Sequence, residues 1–247
     1  MPTFIRLVIG AGVVWHKLAD FLFPFSLSGV WQPSDLFSLE AGGGYFIDFP
    51  TYGGLRTEYR FVDLSETLGA EYGWFSYVDT QVRMLESLFL TADIRFRYYD
   101  SVYQVNPSYS EVTGLFPLGL KSDTLDLQAG LRLRYNLKRL FNLSLSWEGR
   151  FIGDHPYEPL HKLDAGFSYR QAEDIFGAGL DLSIPVSAAD TFIPEVELHA
   201  FYRLTESVRI SLHISDPLSP LIPNGRTLWA PYVAPGFHAY LGMNISL

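Results

Sequence analysis

From Thr124 to Leu137 the chain alternates without a lapse, with Leu125, Leu127, Ala129, Leu131, Leu133, Tyr135 and Leu137 on one parity and Asp126, Gln128, Gly130, Arg132, Arg134 and Asn136 on the other. Successive side chains of a strand point to opposite faces, so this stretch is a ribbon with one apolar and one polar side. It is longer than the roughly five or six residues usual for a soluble strand and fits a tilted membrane crossing of about 9–11 residues with a margin. The same period predicts strands over 21–31, 36–49, 54–63, 67–78, 87–99, 124–137, 141–152, 162–170, 174–185, 192–204, 207–215 and 234–247, twelve in all. An even count is what bacterial membrane barrels carry. The expected architecture is therefore an all-β, transmembrane, antiparallel up-and-down barrel of about twelve strands over 21–247, and residues 1–20 read as a signal remnant, an extra strand or an inner plug.

Connection lengths bear on this independently, because such barrels put short turns on the periplasmic side and longer loops outside. If the strand at 21–31 runs outward, the connections at 100–123, 153–161 and 216–233 lie outside, and those at 50–53, 138–140, 171–173 and 205–206 lie inside. The connection at 79–86 is long for its side. The aromatics on the apolar parity form two belts in this orientation. Trp31, Phe37, Phe61, Tyr98, Phe151, Phe192 and Phe237 mark the outer rim, Phe21, Phe49, Tyr135, Phe141 and Tyr202 the inner one, and aliphatic residues such as Leu131, Leu145 and Leu198 lie between.

Composition narrows the alternatives. Aromatic residues are 16% and charged residues 18% of the 247, yet the longest apolar stretch, Leu7 to Trp15, is too short for the roughly 20 residues of a spanning helix. A chain that crosses lipid without such helices must do so as a closed barrel, since lipid offers backbone amides no partners. A soluble sandwich would carry Lys and Glu on its wet face. Here the cations are fourteen Arg against four Lys (Lys17, Lys121, Lys138, Lys162), and Lys keeps to connections and strand ends. A net charge of −9 argues against nucleic acid as a partner. The absence of cysteine removes disulfides and thiolate metal sites, and the sequence points to no cofactor.

The end of the chain, Tyr240-Leu241-Gly242-Met243-Asn244-Ile245-Ser246-Leu247, resembles the C-terminal insertion signal of bacterial outer-membrane β-barrel proteins, with Tyr240, Gly242, Ile245 and Leu247 at the marked positions and Leu in place of the usual final Phe or Trp. That resemblance implies residence in the outer membrane, contact with its lipid, and recognition by the barrel insertion machinery. Gly149-Arg150-Phe151-Ile152-Gly153-Asp154, Leu163-Asp164-Ala165-Gly166-Phe167-Ser168-Tyr169-Arg170, and Pro235-Gly236 ahead of the last strand resemble late strands of TonB-dependent receptor barrels. The chain has no room for a 22-strand barrel with its plug, so it reads as a small barrel with similar strand chemistry, a fragment, or a degenerate relative.

The polar parity gives the inner lining. It collects Arg56, Glu58, Arg60, Asp93, Arg95, Arg97, Asp126, Arg132, Arg134, Glu148, Arg150, Glu195, Arg203 and Arg209, joined by Glu40, Asp48, Asp164, Arg170 and Asp181. Charges of both signs on one wall pair across strands, as a rigid wet network or as a field that orients polar solutes. A turn at Thr205-Glu206 places either His199 or Glu197 opposite His213, with Ser215 and His238 on the same side. This polar cluster reads as hydrogen-bonded lining or as a metal or proton-sensitive group. His213-Ile214-Ser215 also resembles the His-x-Ser of outer-membrane lipid hydrolases, but both residues have the inner parity, away from a lipid substrate. Gly42-Gly43-Gly44 lies inside a strand and marks a bend or tight packing. The leading expectation is a porin-like outer-membrane channel, not an enzyme, for passive or ligand-selective passage of a small polar solute, with 100–123 folding inward as a constriction. The alternatives are a structural or adhesive barrel that binds partners through loops 100–123 and 216–233, and a lipid hydrolase using His213 and Ser215.

Overall fold

A computed structural model describes residues 4–16, 20–51, 62–63, 69–105, 116–138, 140–153, 160–171, 173–186, 194–221, 227–229, 232–233 and 236–245. Its strands are β1 (Phe4–Ala11), β2 (Val14–His16), β3 (Asp20–Leu22), β4 (Phe25–Ser34), β5 (Phe37–Asp48), β6 (Val62–Asp63), β7 (Glu71–Leu85), β8 (Leu88–Val105), β9 (Phe116–Lys121), β10 (Thr124–Leu137), β11 (Phe141–Ile152), β12 (His161–Arg170), β13 (Phe176–Val186), β14 (Glu195–Arg203), β15 (Val208–Ser215), β16 (Thr227–Trp229), β17 (Tyr232–Val233) and β18 (His238–Ile245). The main sheet runs β1-β4-β5-β7-β8-β10-β11-β12-β13-β14-β15-β18, a nearest-neighbour antiparallel meander. No helix among the described residues is long and apolar enough to cross a membrane.

Strands β10 and β11 begin and end where the alternation begins and ends. Others differ in ways that matter. Residues 4–11 form β1, bonded in continuous register to β4 from Phe4↔Gln32 to Ala11↔Phe25. The strand expected at 54–63 falls largely outside the described residues, and Val62–Asp63 pairs in parallel with Phe116–Pro117 of β9, off the main path. β5 is bonded directly to β7. Strand direction alternates along the path, so removing one expected strand reverses everything before it. Short turns at 35–36, 86–87, 138–140, 171–175 and 204–207 alternate along the path with longer connections. Trp31 and Phe37, in edge contact at 5.7 Å, thus flank a short turn, and Phe21 and Phe49 adjoin longer connections, the reverse of what was expected. The connection at 79–86 ceases to be anomalous, because β7 continues to Leu85.

The described strands divide between two compact units. In the first (Met1–Gln81, Ala92–Ala129, Arg150–Glu158), β9 pairs with β8 from Val102↔Lys121 to Val105↔Leu118, so part of 100–123, expected as a loop, is strand. Asp123, at φ 54°, marks the kink between β9 and β10. The buried apolar residues among those described, Ala70, Tyr99, Val102, Tyr103 and Leu118, all lie in this unit. Tyr103 fixes the segment before β7, its hydroxyl bonded to the Gly69 amide while its own amide donates to Glu71 Oε1 at 2.8 Å. Gly42 makes room for the Tyr77 ring, 2.7 Å from where a Cβ would stand, and the Tyr77 hydroxyl donates to Glu40 at 2.8 Å.

In the second unit (Val82–Thr91, Gly130–Gly149, Pro159–Leu247) the register sorts side chains by face. One face carries the rows Leu143–Phe167–Leu180–Leu198–Ile214–Ala239, Tyr169–Ala178–Ala200–Leu212–Leu241 and Phe176–Tyr202–Ile210–Met243. These residues are not buried: Leu143 is 45% exposed, Leu180 42% and Leu241 78%. A water-soluble domain of this size would hide such rows in a core, since each buried Leu or Phe contributes about 1.5–3 kcal/mol. An apolar face left open across consecutive strands is the lipid-facing side of a membrane sheet.

Candidate functional site

The opposite face of the second unit carries the candidate site. Its rows read Ser146–Asp164–Ser183–Glu195, Ser144–Gly166–Asp181–Glu197–Ser215–His238, Asn142–Ser168–Gly179–His199–His213–Tyr240 and Gly177–Phe201–Ser211–Gly242, with Arg203–Arg209–Asn244 nearest the short turns. Of the two expected pairings, the structure has His199 opposite His213, and Glu197 is opposite Ser215. Ser215 in turn faces His238, whose Nδ1 is bonded to the Gly236 carbonyl. His199 Nδ1 stands 3.5 Å from Asp181. The rings of His213 and Tyr240 are 6.5 Å apart, and those of His238 and Tyr240 stack at 6.2 Å. The flatness of the histidine row depends on Gly179, because a Cβ there would stand 2.3 Å from the His199 ring.

Between β12, β13 and β14 the wall is indented, a polar depression of about 330 Å³ lined by Lys162, Asp164, Asp181, Ser183, Glu195 and Glu197. Lys162 bonds Asp164 at 3.3 Å. Among the described residues no three His, Asp or Glu converge closely enough to hold a metal ion. His213 and Ser215 both belong to the polar rows, so neither is presented to the apolar face where a lipid ester would lie.

The remaining lining falls into exposed and enclosed pairs. Arg132 and Glu148 meet at 3.8 Å with more than half of each side chain exposed, and Arg95 meets Asp93 at 3.6 Å. Arg134 is exposed and has no ion pair among the described residues. In the first unit, Arg150 Nε donates to Asp126 Oδ1 at 3.1 Å with the two side chains only 9% and 6% exposed, and Gln128 donates to the other Asp126 oxygen at 2.9 Å. Arg97 donates to the Tyr99 hydroxyl at 3.2 Å. Arg56, Glu58, Arg60 and Leu247 lie outside the described residues. Tyr240, Gly242 and Ile245 are in β18, with Tyr240 and Gly242 on the polar parity and Ile245 on the apolar one, opposite Val208.

Sequence reasoning missed two residues of this face. Asp174, in the turn 171–175 at φ 58°, bridges Arg170 (3.3 Å) and Arg203 (2.9 Å). Phe201 lies under Arg209, whose guanidinium carbon is 3.6 Å from the ring centre. The available signal for Phe201 was a single aromatic on a polar parity, between His199 and Arg203 and opposite a glycine.

The chain matches no protein-family model, and no curated protein matches it in sequence. Solved structures do share its fold. The siderophore receptor PirA from Acinetobacter baumannii superposes with a TM-score of 0.71 over 98% of this chain at 10% identity. The copper transporter OprC gives 0.64 over 92% at 14%, and the FrpB iron transporter from Neisseria meningitidis 0.61 over 92% at 12%. The chain spans 43%, 40% and 39% of the lengths of those three structures. An open apolar face, a charged opposite face and a nearest-neighbour meander, superposable on these receptors, give this chain the antiparallel β-barrel fold of bacterial outer-membrane receptors and transporters.

Proposed function

We propose that the protein resides in the bacterial outer membrane and passes small polar solutes along its charged inner face, by passive or ligand-selective permeation. The observation that carries this reading is the sorting of the rows across β11 to β15 and β18, apolar and open on one side and polar, charged and indented on the other. Paired charges of both signs along a wall suit polar solutes, which exchange water for fixed dipoles as they move. Proteins of similar fold include a siderophore receptor, a copper transporter and an iron transporter, so carriage across an outer membrane is a use this fold supports. Outer-membrane lipid and the insertion machinery, acting on Tyr240, Gly242, Ile245 and Leu247, are the partners this reading requires. The test is conductance in planar lipid bilayers. Stepwise ion currents are expected on insertion, and silence over a range of voltages with inserted protein overturns the proposal.

A second reading, a structural or adhesive barrel, is favoured by one observation. At 18 residues β8 is longer than a crossing of about 9–11 residues needs. Its excess pairs with β9 and carries the buried Tyr99, Val102 and Tyr103. A structured projection at the long-loop end suits an external partner. Retained currents after removal of residues 106–115, with loss of surface binding, would favour that reading.

A further inference from the structure

We propose that Arg170, Arg203 and Arg209, gathered around Phe201 on the polar face beside the short turns, form a binding station for an oxyanion of the phosphate or carboxylate type. The inference rests on the reading that this face is bathed by solute. Arg203 and Arg209 are direct register partners, and like charges directly opposite one another destabilise a sheet. One carboxylate serves the group: Asp174 binds Arg203 at 2.9 Å and Arg170 at 3.3 Å. Arg209 forms no ion pair among the described residues, and neither Glu173 nor Glu206 in the adjoining turns forms one with it or its neighbours. Three guanidinium groups around one carboxylate leave an excess of positive charge that a purely structural network would have paired.

The geometry aims that excess. The Arg209 guanidinium lies 3.6 Å over the Phe201 ring and that of Arg170 lies 5.7 Å from the same ring. A guanidinium stacked by its flat face keeps its N–H edge for a bidentate oxyanion. The ring lies down because its register partner is Gly177, where a Cβ would stand 2.3 Å from Phe201 Cε1. Arg209 is exposed and the Arg170 side chain is 62% exposed, so an ion reaches both from solvent.

Titration calorimetry with inorganic phosphate at fixed ionic strength, on protein folded in detergent micelles, tests the station. Each variant is first checked for the shifted gel mobility of a folded, unboiled barrel. Wild type is expected to bind phosphate saturably, Arg209→Gln to weaken binding at least tenfold, Phe201→Leu to weaken it a few-fold, and Arg95→Gln to leave it within twofold. Absence of saturable binding to wild type, or equal binding by folded Arg209→Gln, overturns the proposal. Bilayer currents are read separately: current without phosphate binding removes the station and keeps the permeation reading, while phosphate binding without current keeps the station and removes permeation.

Discussion

Leu145→Arg separates a lipid-facing surface from a wet one at a single position. Leu145 is 53% exposed and sits in the row Leu145–Ala165–Leu182–Val196. It lies four residues beyond Phe141, where β11 leaves the turn at 138–140. A rise of about 3.4 Å per residue at a tilt of about 40° places it about 10 Å into an apolar band of about 25 Å, close to the midplane. There an arginine costs about 2–4 kcal/mol in a membrane barrel. On the exposed surface of a water-soluble protein the same change stays within about 0.5 kcal/mol. The internal control is one residue away: Ser146 is on the opposite face with Asp164 as its register partner, so Ser146→Arg should cost less than about 1 kcal/mol. Guanidinium unfolding from phospholipid vesicles, followed by tryptophan fluorescence, measures both. At about 3 kcal/mol the folding constant of Leu145→Arg falls roughly 150-fold. Equal costs for the two variants, or a neutral Leu145→Arg, would refute the assignment of faces.

The enclosed pair predicts an asymmetry in the same assay: Arg150→Ala strands a buried Asp126 carboxylate and should cost about 3–5 kcal/mol, whereas Arg132→Ala, from an exposed 3.8 Å pair, should cost less than about 1. Replacing both members of the enclosed pair, Asp126→Leu with Arg150→Met, should recover most of that loss; no recovery would mean that packing, not the stranded charge, sets the cost. Gly44→Ala would place a Cβ 2.0 Å from the Phe25 carbonyl oxygen, while at Gly119 nothing lies within 4 Å, so the first should lose about 1–3 kcal/mol and Gly119→Ala should be near neutral. Tyr103→Phe removes the hydroxyl bonded to the Gly69 amide and should raise amide exchange at Gly69 without altering exchange in β12 to β15.

The sequence made the strands with strict alternation legible almost to the residue, because a crossing strand must satisfy lipid on one side and water on the other at every step. β10 and β11 are such strands. It was silent on order. The alternation Leu55, Thr57, Tyr59, Phe61 against Arg56, Glu58, Arg60 predicts an amphipathic ribbon, in residues that lie outside the described ones, but period two does not say which strand neighbours β5, and that neighbour is β7. Expecting a strand between β5 and β7 put Trp31 and Phe37 beside a long connection, where the structure has the short turn at 35–36. β1 shows the converse: Ile5, Leu7 and Ile9 alternate clearly, yet so short an apolar run near Arg6 leaves its pairing unread in the sequence, and the partner, β4, is seen only in the structure. On the polar face, parity narrowed the partner of His213 to His199 or Glu197, since hairpin register preserves faces, and the observed register pairs it with His199. Asp174 was invisible because it lies in a turn, where period two says nothing.

The segregation of connections by length has a consequence for how this chain tolerates change. The five connections at 35–36, 86–87, 138–140, 171–175 and 204–207 are so short that they fix the register of the strands they join. A single residue gained within a strand would shift every later side chain of that strand to the other face, presenting arginine to lipid and leucine to water. Residues gained in the longer connections, away from the paired segments β6, β9, β16 and β17, carry no such penalty, because a long connection absorbs length at the cost of about 0.6 kcal/mol per doubling. Divergence, tag insertion and the gain of new binding surface are therefore confined to the longer connections, while the short turns act as the ruler that keeps the two faces in phase.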